Sequence, residues 1–364
     1  MRTTVGSSSP NGTMTFGQAV LEGTRAAMRE HGNVVVIGQG VDDFKGTFGT
    51  TLGLADEFGA DRVYDTPLAE EGMTGVAIGA ALNGLYPIQT HIRADFALLA
   101  MNQIVNHAAS YRYMFGGQFE VPMLIRMVIG RSWGQGAQHS KSLQAVFGHI
   151  PGLTVIMPAS AESVMDSYRW VIANHRGPVI SLEHRLIFDV RFNVRGRESN
   201  NSGSPLRSRV ARAGRDVTIV ATSIMVLEAL RAAEHVRTAA GIEAEVIDLH
   251  CVSHPSRETI LDSVHRTGRL LVADTGWPAY GVAAEICRLV CEDDPSALRA
   301  PVVSLGMQPA PCPTAKSLED LYYPNLARFT DAIATLVRGR RNHGIPLAKE
   351  DSMADVYRRF KGPF

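Results

Sequence analysis

The chain alternates short, unbroken apolar runs with longer stretches of helical periodicity. Val34-Val35-Val36-Ile37-Gly38 is a continuous apolar run closed by glycine, the pattern of a parallel strand buried on both faces. Further strands are predicted near Pro87-Ile88-Gln89, Met123-Leu124-Ile125, Thr154-Val155-Ile156-Met157 and Val179-Ile180-Ser181-Leu182. Between them the apolar residues fall at helical spacing over about 96–113 and 161–173. Thr15, followed three residues on by Gln18, forms a capping-box pattern and predicts a helix running to about His31.

Residues 190–208 break this rhythm with Arg, Asn, Ser, Gly and Pro, which predicts a linker. A second series follows at Val217-Thr218-Ile219-Val220, Ala244-Glu245-Val246-Ile247, Leu270-Leu271-Val272-Ala273 and Pro301-Val302-Val303-Ser304. Strand and helix in alternation imply an α/β chain with two doubly wound, mainly parallel sheets, one in residues 14–189 and one in 209–340. Residues 1–13 read as a disordered leader. The polar segment 341–364 reads as a partner-binding arm or a loose tail, the second being the commoner fate of a terminus.

At 364 residues the chain is long enough for two domains. Lys plus Arg and Asp plus Glu each total 36, so no basic excess points to nucleic acid or an anionic membrane surface. No apolar run reaches the ~18 residues that span a bilayer, and the start lacks the apolar core of a secretory signal; a cytoplasmic location is expected. Four cysteines do not suggest a disulfide framework. Cys287 and Cys291, four apart on a predicted helix, are expected to be packing residues.

The candidate chemistry begins at Asp65-Thr66-Pro67-Leu68-Ala69-Glu70-Glu71-Gly72-Met73, between the strand candidate Arg62-Val63-Tyr64 and a helix rich in small residues. A carboxylate there sits at a strand's C-terminal end, where open α/β sheets bind ligands, and at a helix N-terminus, whose dipole favours negative charge. Acidic residues also decorate ordinary helix starts, so the segment alone does not separate the two readings. A glycine-rich loop, 130–136, leads into Ala137-Gln138-His139-Ser140 and offers His139 as an acid–base candidate. His107 and His149 fall in helical stretches and are expected to be structural.

Several blocks then occur in a telling order: Gly38-Gln39-Gly40-Val41, Asp65-Thr66-Pro67, Met114-Phe115-Gly116-Gly117, Ala137-Gln138-His139-Ser140, Pro151-Gly152-Leu153 and Gly276-Trp277-Pro278-Ala279-Tyr280-Gly281. In this order the chain resembles the β subunit of the thiamine-diphosphate-dependent 2-oxo acid dehydrogenases, the E1 component of pyruvate, branched-chain and acetoin complexes, over about residues 15–337. The resemblance implies a pyrimidine-binding domain followed by a transketolase C-terminal-like domain. It implies that Glu70 activates thiamine diphosphate through its aminopyrimidine, with Glu71 an adjacent decoy. It also implies that Phe96 stacks on that ring, that Ile92 and Leu68 are apolar cofactor contacts, and that His139 assists the acyl intermediate.

No Gly-Asp-Gly motif occurs in the chain, so no metal ligands are assigned to it. The resemblance implies that an α subunit supplies Mg²⁺ and the diphosphate site in an α2β2 heterotetramer. The substrate would be a 2-oxo acid and the acceptor a lipoyl acyltransferase or another acyl carrier. Gln39 stands where glutamate is common in the family, Leu99 where glutamine is common in the pyruvate enzymes, and His254-Pro255-Ser256-Arg257-Glu258 replaces a Pro-then-Asp pattern. These departures keep open a split transketolase-like or carrier-directed two-carbon transferase. A non-catalytic scaffold subunit is a further alternative, opposed by the presence of both Glu70 and His139.

Overall fold

The computed structural model describes residues 12–130, 134–194 and 204–349. The first unit carries a six-stranded, wholly parallel sheet. Its strands are β2 (Val34–Gly38), β3 (Val63–Tyr64), β4 (Tyr86–His91), β5 (Met123–Ile129), β6 (Thr154–Ile156) and β7 (Pro178–His184), in the order β3-β2-β4-β5-β7-β6. Every residue of β2, β4, β5 and β7 is buried, which explains why β2 reads as a continuous apolar run. The order reverses at β2: the chain steps outward to β3 and then returns to β4 on the other side. That crevice is where such sheets hold ligands.

The second sheet has the order β13-β12-β10-β11-β9, from β9 (Arg209–Arg212), β10 (Val217–Ala221), β11 (Ala244–Asp248), β12 (Leu270–Ala273) and β13 (Val303–Leu305). It is parallel except for β9, which runs antiparallel to β11. The two predicted doubly wound sheets are therefore present, the second with one antiparallel edge. A two-stranded ribbon pairs β1 (Thr13–Thr15) with β8 (Arg191–Asn193), so regular structure enters the stretch expected as linker; residues 195–203 of that stretch lie outside the described residues. So do residues 1–11 of the expected leader and 350–364 of the tail. Residues 341–349 are held down: His235 Nε2 lies 2.7 Å from the Pro346 carbonyl, His343 Nε2 lies 3.1 Å from Asp331 Oδ1, and Ala348 is buried.

The capping box at Thr15 forms: Gln18 N–H donates to Thr15 Oγ1 and Thr15 N–H to Gln18 Oε1, opening the helix Phe16–Glu30. The helix predicted over 96–113 is more irregular than its periodicity implies. It runs as a short turn Ala94–Ala97, a tighter turn Leu98–Ala100, a π-helical stretch Asn102–Ala108 and a last turn Tyr111–Met114. Ser110 Oγ–H donates to the Val105 carbonyl five residues back, and a π-helical stretch of this kind often accompanies a functional site. Cys287 is half-buried and Cys291 exposed on the helix Val282–Asp293, so Cys291 is not the packing residue expected. No described helix is long and apolar enough to cross a membrane.

The two units share a tight seam. Met157 N–H donates to the His250 carbonyl and Val252 N–H to the Val155 carbonyl, both at 2.8 Å, which lays 250–252 along the free edge of β6. The apolar cores run through this seam, with residues of both sheets in each.

Candidate active site at the edge of the first sheet

Asp65 organises the mouth of the crevice. Its Oδ1 accepts from Gly40 N–H at 2.7 Å and from Thr66 N–H at 2.8 Å, tying the loop after β2 to the loop after β3. The helix Glu70–Leu82 then starts on Glu70, with no side-chain cap from Ala69. The free N–H groups and dipole of this first turn favour a carboxylate there. Glu70 Oε1 accepts a hydrogen bond from Gln39 Nε2 at 3.4 Å, and both line a pocket with Met73, Gln89, Thr90 and His91. Glu71 points away: it is exposed and accepts from Asn102 Nδ2 at 3.3 Å. The two adjacent glutamates, inseparable by local pattern, are thus separated by the direction of successive helix positions.

Gln39 is held from below. Arg126 and Glu183 form a buried pair across β5 and β7, with Nε to Oε1 at 2.8 Å. Arg126 Nη2 also donates to Thr50 Oγ1 at 3.0 Å, and Thr50 Oγ–H donates to the Thr47 carbonyl. Thr47 Oγ–H in turn donates to the Gln39 carbonyl at 3.4 Å. Tyr168 O–H donates to the same Glu183 carboxylate.

The back wall of the pocket is polar and incompletely paired. Gln89 Nε2 donates to Thr74 Oγ1 at 2.8 Å, but Gln89 Oε1, Thr90 Oγ1 and His91 Nε2 are buried with no partner among the described residues. Burial lowers the His91 imidazole from the usual 6.5 to about 4, against the opposing pull of the Glu70 charge. It is therefore neutral at pH 7. His91 was not singled out by the sequence; its one signal there is a histidine at the end of an apolar strand.

A second constellation lies just beyond β4. Phe96 and His139 meet edge to face, with ring centroids 5.1 Å apart. The loops carrying them are fastened together: Lys141 Nζ donates to Asp95 Oδ1 at 3.0 Å, Arg93 Nη1 donates to the Gly130 carbonyl at 2.8 Å, and Arg93 also bonds the Gln135 side chain. Burial lowers the Arg93 guanidinium to about 10, with Asp95 opposing that fall. The His139 loop leans on the second domain. Gly136 has φ +70°, and a Cβ there would come within 2.6 Å of Thr314 Oγ1, while Tyr323 O–H donates to the Ser140 carbonyl at 3.4 Å. Arg93, Asp95 and Lys141 also escaped the sequence reading, because what identifies them is their contact across more than 30 positions.

Phe96 and Ile92 keep 38% and 36% of their surface exposed, and Leu68 and Leu99 keep 82% and 62%. An ordinary core phenylalanine would not be so open. Arg131, Ser132 and Trp133 of the glycine-rich loop lie outside the described residues. His107 is half-buried, its Nδ1 lying 3.3 Å from the Asn102 carbonyl, and His149 closes the turn Gln144–Gly148.

Comparison with known proteins agrees with this architecture. Residues 12–189 match the transketolase pyrimidine binding domain and residues 207–328 the transketolase C-terminal domain. The chain is 36% identical to the pyruvate dehydrogenase E1 component subunit beta of Rhizobium meliloti, over 88% of this chain and 69% of that one. It is 38% identical to the corresponding subunit of Rickettsia conorii, over 86% of this chain and 96% of that one. Among solved structures it superposes on a split gene transketolase, described as an inactive beta4 tetramer, with a TM-score of 0.73, 24% identity and coverage of 90% and 99%. Two transketolase-type domains in this order, joined to that likeness along most of each relative, show that the chain belongs to the family of thiamine-diphosphate-dependent 2-oxo acid dehydrogenase E1 β subunits.

Proposed function

We propose that the chain is the β subunit of a 2-oxo acid dehydrogenase E1. With an α subunit it would decarboxylate a 2-oxo acid on thiamine diphosphate and pass the acyl group to a lipoyl carrier. The observation that carries this reading is Glu70: a carboxylate on the first turn of a helix, at the crevice where the strand order reverses, held by Gln39 and backed by unpaired polar atoms. A polar heterocycle such as an aminopyrimidine fits that set of polar atoms, since buried polar groups normally find partners and the described residues supply none for three of them.

When bound, thiamine diphosphate supplies an electron sink for the decarboxylation. Glu70 would hold the ring by a hydrogen bond and exchange a proton with its nitrogen. Gln39 would steady the carboxylate but, as an amide, cannot exchange that proton. Phe96, Ile92 and Leu68 would cover the cofactor with apolar surface and exclude water. His139, braced against Phe96 and Thr314, would hold the substrate carboxylate and deliver a proton during acyl transfer. The Mg²⁺ and diphosphate ligands would come from the α subunit, in an α2β2 assembly whose interface covers the exposed Leu68, Ile92, Phe96 and Leu99. The unit 14–189 would carry this site, and the unit 209–340 would brace it and build further subunit contacts.

Co-expression with the α subunit and assay of a panel of 2-oxo acids with an artificial electron acceptor tests the reading. One 2-oxo acid should be decarboxylated, and calorimetry on this chain alone should detect little thiamine diphosphate binding. Ketol transfer without decarboxylation, or low-micromolar binding by the isolated chain, would overturn it.

A further inference from the structure

We propose that His91 is a cofactor-contacting residue: its Nε2 hydrogen-bonds the polar edge of the ring that Glu70 holds. The inference deepens the reading of the Glu70 pocket as the aminopyrimidine site and rests on it. Its basis is geometric. Gln89 and His91, two apart on β4, share a strand face, and Gln89 Nε2 reaches Thr74 on the helix that begins with Glu70. His91 therefore lies under that helix, and it lines the pocket together with Glu70.

The side chain is only 6% exposed, and its Nε2 has no partner among the described residues. A histidine this buried ordinarily spends its ring nitrogens on neighbours. The Gln39 amide reaches Glu70 from the other side of the crevice, so the carboxylate stands between an amide donor and an imidazole. Glu70 and His91 are the two titratable side chains lining the pocket.

The low proton affinity of His91 fits this role. Burial holds it neutral through the working pH range while the Glu70 charge pulls the other way. A neutral imidazole offers one donor and one acceptor, which suits a ring whose edge carries both an amino group and ring nitrogens. A purely structural residue at this place would be better served by an apolar side chain, since an unpaired polar group destabilises a core. Cofactor affinity and stability should therefore respond to substitution with opposite signs.

The test uses the assembled α–β complex, with thiamine diphosphate affinity read by calorimetry and thermal unfolding of this chain as a second readout. His91→Phe should weaken binding about tenfold, the loss of one buried hydrogen bond, and leave the melting temperature unchanged or raised. His91→Gln, whose amide reaches about as far as the imidazole Nε2, should bind within about threefold of the parent. Unchanged affinity in His91→Phe, with Glu70→Ala much weaker, would overturn the inference and leave the pocket assignment standing. Unchanged affinity in both would overturn the pocket assignment itself. If His91→Phe lowers the melting temperature, retained affinity in His91→Gln still supports the contact, and lost affinity there overturns it.

Discussion

Each large sheet has a point where neighbouring strands send the chain in opposite directions, and the two crevices so formed are finished in opposite ways. In the first sheet the crevice lies between β2 and β4 and stays open, with Glu70 at its mouth and, behind it, Gln89 Oε1, Thr90 Oγ1 and His91 Nε2 without a partner among the described residues. In the second it lies between β10 and β12 and is plugged by the first domain. Gln144 Nε2 donates to both oxygens of Asp274 at 2.8 Å, and Thr222 Oγ–H and Thr275 N–H donate to its Oδ1. Close by, Ser167 Oγ lies 2.8 Å from His250 Nε2, and His250 N–H donates to Asp248. One fold feature thus stays open in one domain and serves docking in the other. What differs is whether the polar edge finds its partners among the described residues. The plugged edge is not perfect, since Gln144 Oε1 and His250 Nδ1 have no partner among the described residues, but its carboxylates are engaged.

The sharpest way to break the comparison is to neutralise each carboxylate. Glu70→Gln in the complex should lower turnover about a thousandfold, within the usual range for loss of a positioned acid–base group, and shift stability by less than about 0.5 kcal/mol, because the open edge adds little to folding. Steady-state assays and denaturant titrations read the two effects; a stability loss comparable to the loss of activity would make Glu70 a structural residue. Glu71→Gln serves as the control and should cost much less.

Asp274→Ala should behave in the reverse sense. It strands the Gln144 amide and the Thr222 hydroxyl in a buried seam, which costs about 2 kcal/mol. Urea unfolding should show that loss, while thiamine diphosphate affinity of the folded complex stays unchanged. A selective loss of affinity would mean that the second edge also serves a ligand.

His139→Ala tests whether the braced loop acts late in the reaction. Acyl transfer to lipoyl should fall about tenfold further than decarboxylation read with an artificial oxidant, because reduction of the dithiolane needs a delivered proton. An equal fall in both assays would assign His139 to substrate binding.

A last contrast is in acid stability. Burial lowers His91 to about 4 and His250 to about 3, so below pH 6.5 the unfolded chain takes up protons that the folded chain refuses. Stability is then lost as pH falls from 6.5 toward 3, by up to about 1.4 kcal/mol per pH unit for each group. Asp248, which burial pushes up to about 6 against the opposing Arg209 charge, acts the other way between about pH 4 and 6, losing stability as pH rises. His91→Phe should flatten the acid slope by about one proton, measured by unfolding at pH 4.5 and 6.5. An unaltered slope would mean that His91 is not buried neutral.

Much of this architecture was legible in the chain because its signals are local. Runs such as Val34–Gly38 and Val217–Ala221 announce strands buried on both faces, and Thr15 with Gln18 fixes a helix start by two reciprocal hydrogen bonds. Asp65-Thr66-Pro67 placed Glu70 beyond a strand and at a helix N-terminus, which is where it lies.

Tertiary structure decided the rest, since the deciding contacts join residues far apart in sequence. Only the packed helix turns Glu70 into the crevice and Glu71 out of it. Only the sheet buries His91 beside Glu70, and only the fold brings Lys141 to Asp95 and His139 to Phe96 across more than 40 positions. A periodic pattern specifies how a segment is buried, but it carries no information about which distant segment lies against it. Side-chain pairing, and with it which polar atoms remain free for a ligand, is set when the segments meet.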